Sequence, residues 1–347
     1  MERVDVVIIG GGPVGLFQVF ELGLLGIRAH LFDSLPEPGG QCSALYPDKP
    51  IYDIPACPAI KAQQLTDNLL LQISPFDPVF HFGEQVVNVE RKEGYFLLST
   101  DKGTVMETRA VIIAAGMGMF SPVPLRVPGI ERHLDKSIHY KVVRAEQYSD
   151  KNIVVLGGGD SALDWALALQ PIAASVTLIH RSTKFRAAPA SVGKMQKLCD
   201  EQQMQWLIGQ VSALVEEGDQ LTGIKVTGND GITRLLELDE LLVLFGQTPD
   251  MTVINRWGLA MQKEQIRVDT EKFQTSEPGI YAVGDINWYP GKKRLILSGF
   301  HEAALAAFAI KEQLQPGKKV HLQYTTTSPI MHQRLKVDGP DMEEDAA

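Results

Sequence analysis

"GGGPVG" at residues 10–15 and "GGGDSA" at residues 157–162 decide the fold between them. Each follows a short β-branched run, "VDVVII" and "NIVVL", and each opens onto helical periodicity, "LFQVFELGLL" and "ALDWALALQ". A buried-type strand, a glycine turn and a helix make the first half of a βαβ unit. Second strands follow: "RAHLFDS" ends on Asp33, and "SVTLIHRS" ends on His180 and Arg181. Matching Gly10 to Gly157 lays one unit on the other, so the chain repeats a whole supersecondary element.

Each glycine position has a physical task. Gly10 makes the tight turn, Gly12 lets backbone approach a pyrophosphate, and Gly15 lets the helix pack on the strand. Pro13, between them, belongs to the same cofactor-binding cradle. The helix N-terminus, with free N–H groups and the positive end of the dipole, then receives the anion. Asp33 would accept hydrogen bonds from ribose hydroxyls. The bland alternative is a turn with a solvated aspartate. In the second unit Gly157, Gly159 and Ala162 hold the same places, with Asp160 and Ser161 opening the helix. Here His180 and Arg181 stand where an acid would select a free 2′-hydroxyl, and "RSTKFRA" adds Lys184 and Arg186. Cations at that place accommodate a 2′-phosphate, so the second ligand is expected to be NADP(H) rather than NAD(H). The alternative is a solvated basic turn.

A nicotinamide cofactor transfers hydride, so a second dinucleotide is most useful as a hydride acceptor. FAD meets that need and also releases electrons singly. The "AVGD" of 282–285 would return Asp285 from a strand end to the ribityl chain, and a helix over 298–314 would begin beneath the ring system. The expected fold is α/β, with two Rossmann-like dinucleotide-binding domains of three-layer ββα form, the NADP domain inserted into the FAD domain. The FAD domain would take residues 1–118 and 250–347, the NADP domain 119–249, and residues 336–347 a disordered acidic tail. A helix over 62–73 and a run of strands over 79–115 complete the first domain.

Composition narrows the function. A net charge of −9 over 347 residues argues against nucleic acid or an anionic membrane as the main partner. No apolar run reaches the eighteen or so residues of a membrane span, and the N-terminus leaves no room for a signal peptide, so a cytoplasmic protein is expected. Eight histidines form no HExxH, so no metal is expected. Cys42, Cys57 and Cys199 form no CxxC.

With GGGPVG, Asp33, "GGQ" at 39–41, GGGDSA, HRSTKFRA and "GIYAVGD", the chain resembles the two-dinucleotide flavoproteins that include thioredoxin reductase. Relatives that reduce disulfides carry CxxC before the second glycine motif or CxxxxC after the first βαβ unit. Here the first place reads "SIHYKVVRAEQYSDKN", and the second, "CSALYP", has Pro47 where a cysteine belongs. A lone thiol cannot cycle to an intramolecular disulfide. The stretches "LPEPGGQCSALYP", "IYDIP", "GGGDSALDWAL" and "YTTTSP" resemble the thioredoxin-reductase-type ferredoxin/flavodoxin–NADP⁺ reductases.

That resemblance implies hydride exchange between NADPH and FAD, single-electron exchange with ferredoxin or flavodoxin, and a homodimer. It implies FAD contacts from Asp33, Gly40, Gln41, Tyr46, Val86, Phe120, Asp285 and Thr326, with Tyr46 and Tyr324 stacking on the two ring faces. No side chain need act as acid, base or nucleophile. Ser182 stands where the family's second arginine is usual. Lys292, Lys293 and Arg294 are candidates for docking an acidic carrier; the alternative is a solvated loop. Two rivals are an NADPH-dependent reductase of a partner's disulfide and a redox sensor that holds FAD without turnover.

Overall fold

The computed structural model describes residues 2–142 and 144–337, excluding the side chains of residues 119–121, 247 and 249. The chain divides into two compact units, Met1–Met119 with Pro249–Ala347, and Phe120–Thr248.

In the first unit, strands Val79–Phe82, Ala29–Asp33, Glu2–Ile9 and Val105–Ile113 lie parallel in that order. Val105–Ile113 then forks. Its second half pairs in parallel with Ile280–Ala282, and its first half pairs antiparallel with Tyr95–Thr100, which in turn meets Val86–Lys92. Alternation along Glu2–Ile9 explains the layering, because neighbouring strand residues point to opposite faces. Val6 and Ile8 join Leu16, Val19, Leu69 and Ala306 from helices Pro13–Leu24, Ala62–Ile73 and Ile296–Leu314. Val7 and Ile9 join Val86, Phe96 and Leu98 from the antiparallel strands. A strand covered on both faces reads as a continuous apolar run, which is why "VVII" shows no polar alternation.

The second unit repeats the plan. Strands Ile138–His139, Glu240–Val243, Asn152–Leu156 and Ser175–His180 run parallel into Gln205–Glu217, which continues antiparallel into Gln220–Gly228 and Thr233–Glu237. Ile153 and Val155 face helices Asp160–Leu169 and Pro189–Asp200, while Val154 and Leu156 face the antiparallel strands. The two ends of this unit meet, Val123 N–H donating to Gly246 O at 3.0 Å. No helix among the described residues is long and apolar enough to cross a membrane.

Two details differ from the sequence reading. The helix expected from 298 begins at Ile296. Ahead of the expected acidic tail, where the sequence reading names no element after 314, the chain forms helix Pro329–Leu335, capped by Ser328 and anchored by the buried Met331. A helix of seven residues, about two turns, carries too little periodicity to be read from sequence. Lys336, at the start of the expected disordered tail, pairs with Asp77 at 2.8 Å; residues 338–347 lie outside the described residues.

Candidate functional site

Both glycine motifs sit where parallel strands end and helices begin, the place at which open α/β sheets hold ligands. Gly10 has φ +112°, a conformation that side chains resist, and a methyl group there would overlap the Ala114 backbone. A methyl group at Gly15 would overlap the carbonyl of Gly10, so the helix rests directly on its own strand turn. Gly40 approaches Gly12 so closely that a Cβ on it would lie 3.0 Å from the Gly12 Cα. The "GGQ" loop therefore closes over the glycine turn, held by Gly39 N–H to Gly11 O at 2.8 Å. Pro13 is the first residue of its helix, and no side chain caps that helix's N-terminus. Its free N–H groups remain for an anion.

Asp33 ends its strand with Oδ2 accepting from Gly11 N–H at 2.5 Å and Oδ1 from Leu35 N–H at 2.8 Å. Burial pushes its carboxyl above the usual range, against the pull of those two N–H groups. A carboxylate still has lone pairs for sugar hydroxyls after two such bonds. From the other side, Val14 touches Gly284 and Gly299, where added methyl groups would meet it. This brings the glycine turn, the Gly284–Ile286 turn and helix Ile296–Leu314 together. Asp285 is half-buried and raised in pKa by burial, with Lys292 and Arg294 opposing. It lines a cavity of about 640 Å³ together with Met117, Gln265, Trp288, Tyr289 and Lys292.

Gln41 opens the short helix Gln41–Ala44. Tyr46 is half-buried, its hydroxyl accepting from the Cys42 thiol at 3.7 Å, and desolvation raises its pKa. Val86 turns its side chain into the core, so its backbone is what it can offer a ligand. The side chain of Phe120 lies outside the described residues.

Tyr324 is 66 % exposed, and Thr326 is exposed as well. The helix that follows them docks at the far end of Pro13–Leu24, where Arg334 donates to Leu24 O. Lys292 is no docking residue. Its side chain is 3 % exposed and its ammonium is bonded to Glu302, which leaves Lys293 and Arg294 exposed.

In the second unit Gly157 N–H donates to Ile179 O at 3.0 Å, and Gly159 faces open space, so backbone approach is unobstructed. The His180 ring lies against Gly158, leaving no room for a side chain there. The basic loop is tied to the glycine turn by Arg186 N–H to Gly158 O at 2.8 Å and by Ala188 N–H to Asp160 Oδ1 at 2.9 Å. Asp160 thus fastens the loop. Phe185 packs between His180 and Trp206, its ring tilted against both with centroids 5.2 Å away, so the residue that interrupts the cations is the loop's anchor. Arg181, Lys184 and Arg186 are exposed, and among the described residues no ion pair engages them. Ser161 is exposed in the first turn of helix Asp160–Leu169.

Two glycine cradles, one ending in a half-buried acid and one in three exposed cations, fit a pair of dinucleotides that differ at the ribose. Residues 4–311 match the pyridine nucleotide-disulphide oxidoreductase family. The chain belongs to that family. A protein of Cupriavidus necator named ferredoxin–NADP reductase 2 is 57% identical over 340 residues, covering 98% of this chain and 92% of the relative. One of Colwellia psychrerythraea named ferredoxin–NADP reductase is 57% identical over 335 residues, covering 96% of each. Among solved structures, thioredoxin reductase of Lactococcus lactis aligns with a TM-score of 0.68 at 23% identity, over 90% of this chain and 99% of that one. Bacillithiol disulfide reductase of Staphylococcus aureus aligns with 0.72 at 19% identity, over 91% and 100%. These two show the fold: two-domain dinucleotide-binding α/β. In this family member Cys42, Cys57 and Cys199 are all free, and burial raises the thiol pKa of Cys42.

The sequence reading missed Glu302. Its signal was present, since an acid at 302 falls on the buried stripe of Gly299, Ala303, Ala306 and Ile310.

Proposed function

We propose that this chain is an FAD-dependent ferredoxin–NADP⁺ reductase. The observation that carries the reading is the contrast between its cradles: Asp33 bonded to Gly11 in one, His180 with Arg181, Lys184 and Arg186 around Gly158 in the other. Relatives named for this activity at 57% identity over nearly the whole chain support it. In this reading residues 1–118 and 250–347 hold FAD, and residues 119–249 hold NADP(H).

The chemistry FAD supplies when bound is hydride exchange with a nicotinamide and one-electron exchange with a carrier. The protein's part is to bind and orient. Free N–H groups of helix Pro13–Leu24 and the Gly12–Gly40 approach receive the pyrophosphate; Asp33 accepts from the ribose; Gln41 and Asp285 hold the chain leading to the ring; Tyr46 shields one ring face. Gly159 and Ser161 receive the second pyrophosphate, and the three cations hold the 2′-phosphate. Lys293 and Arg294 offer an acidic carrier a basic surface, and flavodoxin is a second carrier of the same chemistry. We further propose a cytoplasmic homodimer, in which the exposed Tyr324 and Thr326 would have a second copy to meet.

The test is NADPH-driven cytochrome c reduction with ferredoxin, with flavodoxin and with neither, repeated with NADH. Carrier-dependent reduction that prefers NADPH is expected. Strong DTNB reduction by the lone chain, or a yellow protein that NADPH does not bleach, would overturn the reading.

A further inference from the structure

Glu302 lies on the buried stripe of helix Ile296–Leu314 and is 0 % exposed. Four donors reach it. Oε2 accepts from Gly284 N–H at 2.7 Å and Asn287 Nδ2 at 2.8 Å; Oε1 accepts from Tyr289 Oη–H at 3.0 Å and from Lys292 Nζ. All four belong to residues 284–292, the segment that carries Asp285. The Lys292 ammonium also lies 5.4 Å from the Tyr289 ring centroid. An ion pair this deep is not an economical way to stabilise a fold, because desolvation costs several kcal/mol per ion and apolar replacements often do as well. What the pair does achieve is local. It ties down both ends of the Asp285 turn, and it places Lys292 on the wall of the same cavity that Asp285 lines.

We propose that Lys292 and Glu302 are positioning residues of the cofactor cradle, and that their two opposite charges are balanced so that the bound cofactor feels neither alone. This deepens the FAD reading and rests on it. Inside a protein, a single charge near a redox centre acts through a low dielectric. A lone ammonium there favours added electrons, and a lone carboxylate opposes them. Each charge therefore masks the other, and removing one exposes the sign of its partner.

The test uses the FAD-loaded protein, Lys292→Met, Glu302→Gln and the double variant. It measures the midpoint potential of the bound flavin by dye equilibration, the FAD dissociation constant and the thermal midpoint. Lys292→Met should make reduction harder by on the order of tenfold in the equilibrium, about 30 mV for a two-electron couple. Glu302→Gln should make it easier by a similar factor, and the double variant should return to near the parent value. A purely structural pair would lower thermal midpoint and FAD affinity in both single variants without splitting the sign of the potential. Shifts in one direction, or no shifts, would overturn the inference. Should Lys292→Met fail to fold, Glu302→Gln against the double variant decides it: easier reduction in the first, a return in the second. A parent protein that takes up no FAD would overturn the underlying reading instead.

Discussion

At the scale of single residues, the second cradle would, in the proposed reading, separate binding of the nucleotide from recognition of its phosphate. Arg181, Lys184 and Arg186 project from a loop whose shape is set by Phe185 and by the Arg186 N–H bond to Gly158, not by the cations themselves. Removing a charged head should therefore leave the loop in place. Arg181→Ala is expected to raise the KM for NADPH by roughly tenfold, the scale of one charge-assisted hydrogen bond, while the KM for NADH stays put; steady-state kinetics with both nucleotides checks it. Glu21 makes a second case. Burial on helix Pro13–Leu24 raises its pKa from 4.5 to about 7. Below pH 4.5 the side chain is neutral in folded and unfolded states alike. As pH rises to about 7 the unfolded chain ionises first, and that relative stability is lost. Glu21→Gln should therefore match the parent in thermal melts near pH 4 and gain on the order of 1 kcal/mol at pH 8.

Among elements, helix Ile296–Leu314 is the one whose seating matters most. Gly299 is where it meets Val14 of the first glycine motif, and an added methyl group would overlap the Val14 side chain. Gly299→Ala should cost about 1–3 kcal/mol through overpacking and weaken FAD binding, and adding Val14→Ala should recover most of both in melts and in cofactor titrations. The elements that sequence made legible were those with long, clean periods or a glycine to mark them. Ala62–Ile73 is the helix that "AQQLTDNLLLQI" spells, and both glycine turns fall between strand and helix. What stayed hidden depends on contacts distant in sequence. "GKKR" reads as a basic surface loop because nothing nearby in sequence announces that Lys292 turns inward to Glu302. The position of Tyr324 is governed by where helix Pro329–Leu335 docks, which no local pattern states.

For the molecule as a whole, charge sets the problem of meeting a carrier. An acidic chain of net charge −9 repels an acidic partner except where cations are exposed, and Lys293 and Arg294 provide such a place beside Asp285. Lys293→Ala with Arg294→Ala should raise the KM for ferredoxin several-fold at low salt while the KM for NADPH holds. The difference should close as ionic strength rises past about 0.15 M, where the screening length is about 8 Å; carrier titrations across a salt series measure it. The hydrogen bond between Val123 and Gly246 has a consequence of its own. Because the chain enters and leaves the Phe120–Thr248 unit at neighbouring points, the unit is inserted as one continuous block, and a chimera carrying a relative's block between these points is expected to fold. In the proposed reading, nucleotide preference would travel with that single block of chain.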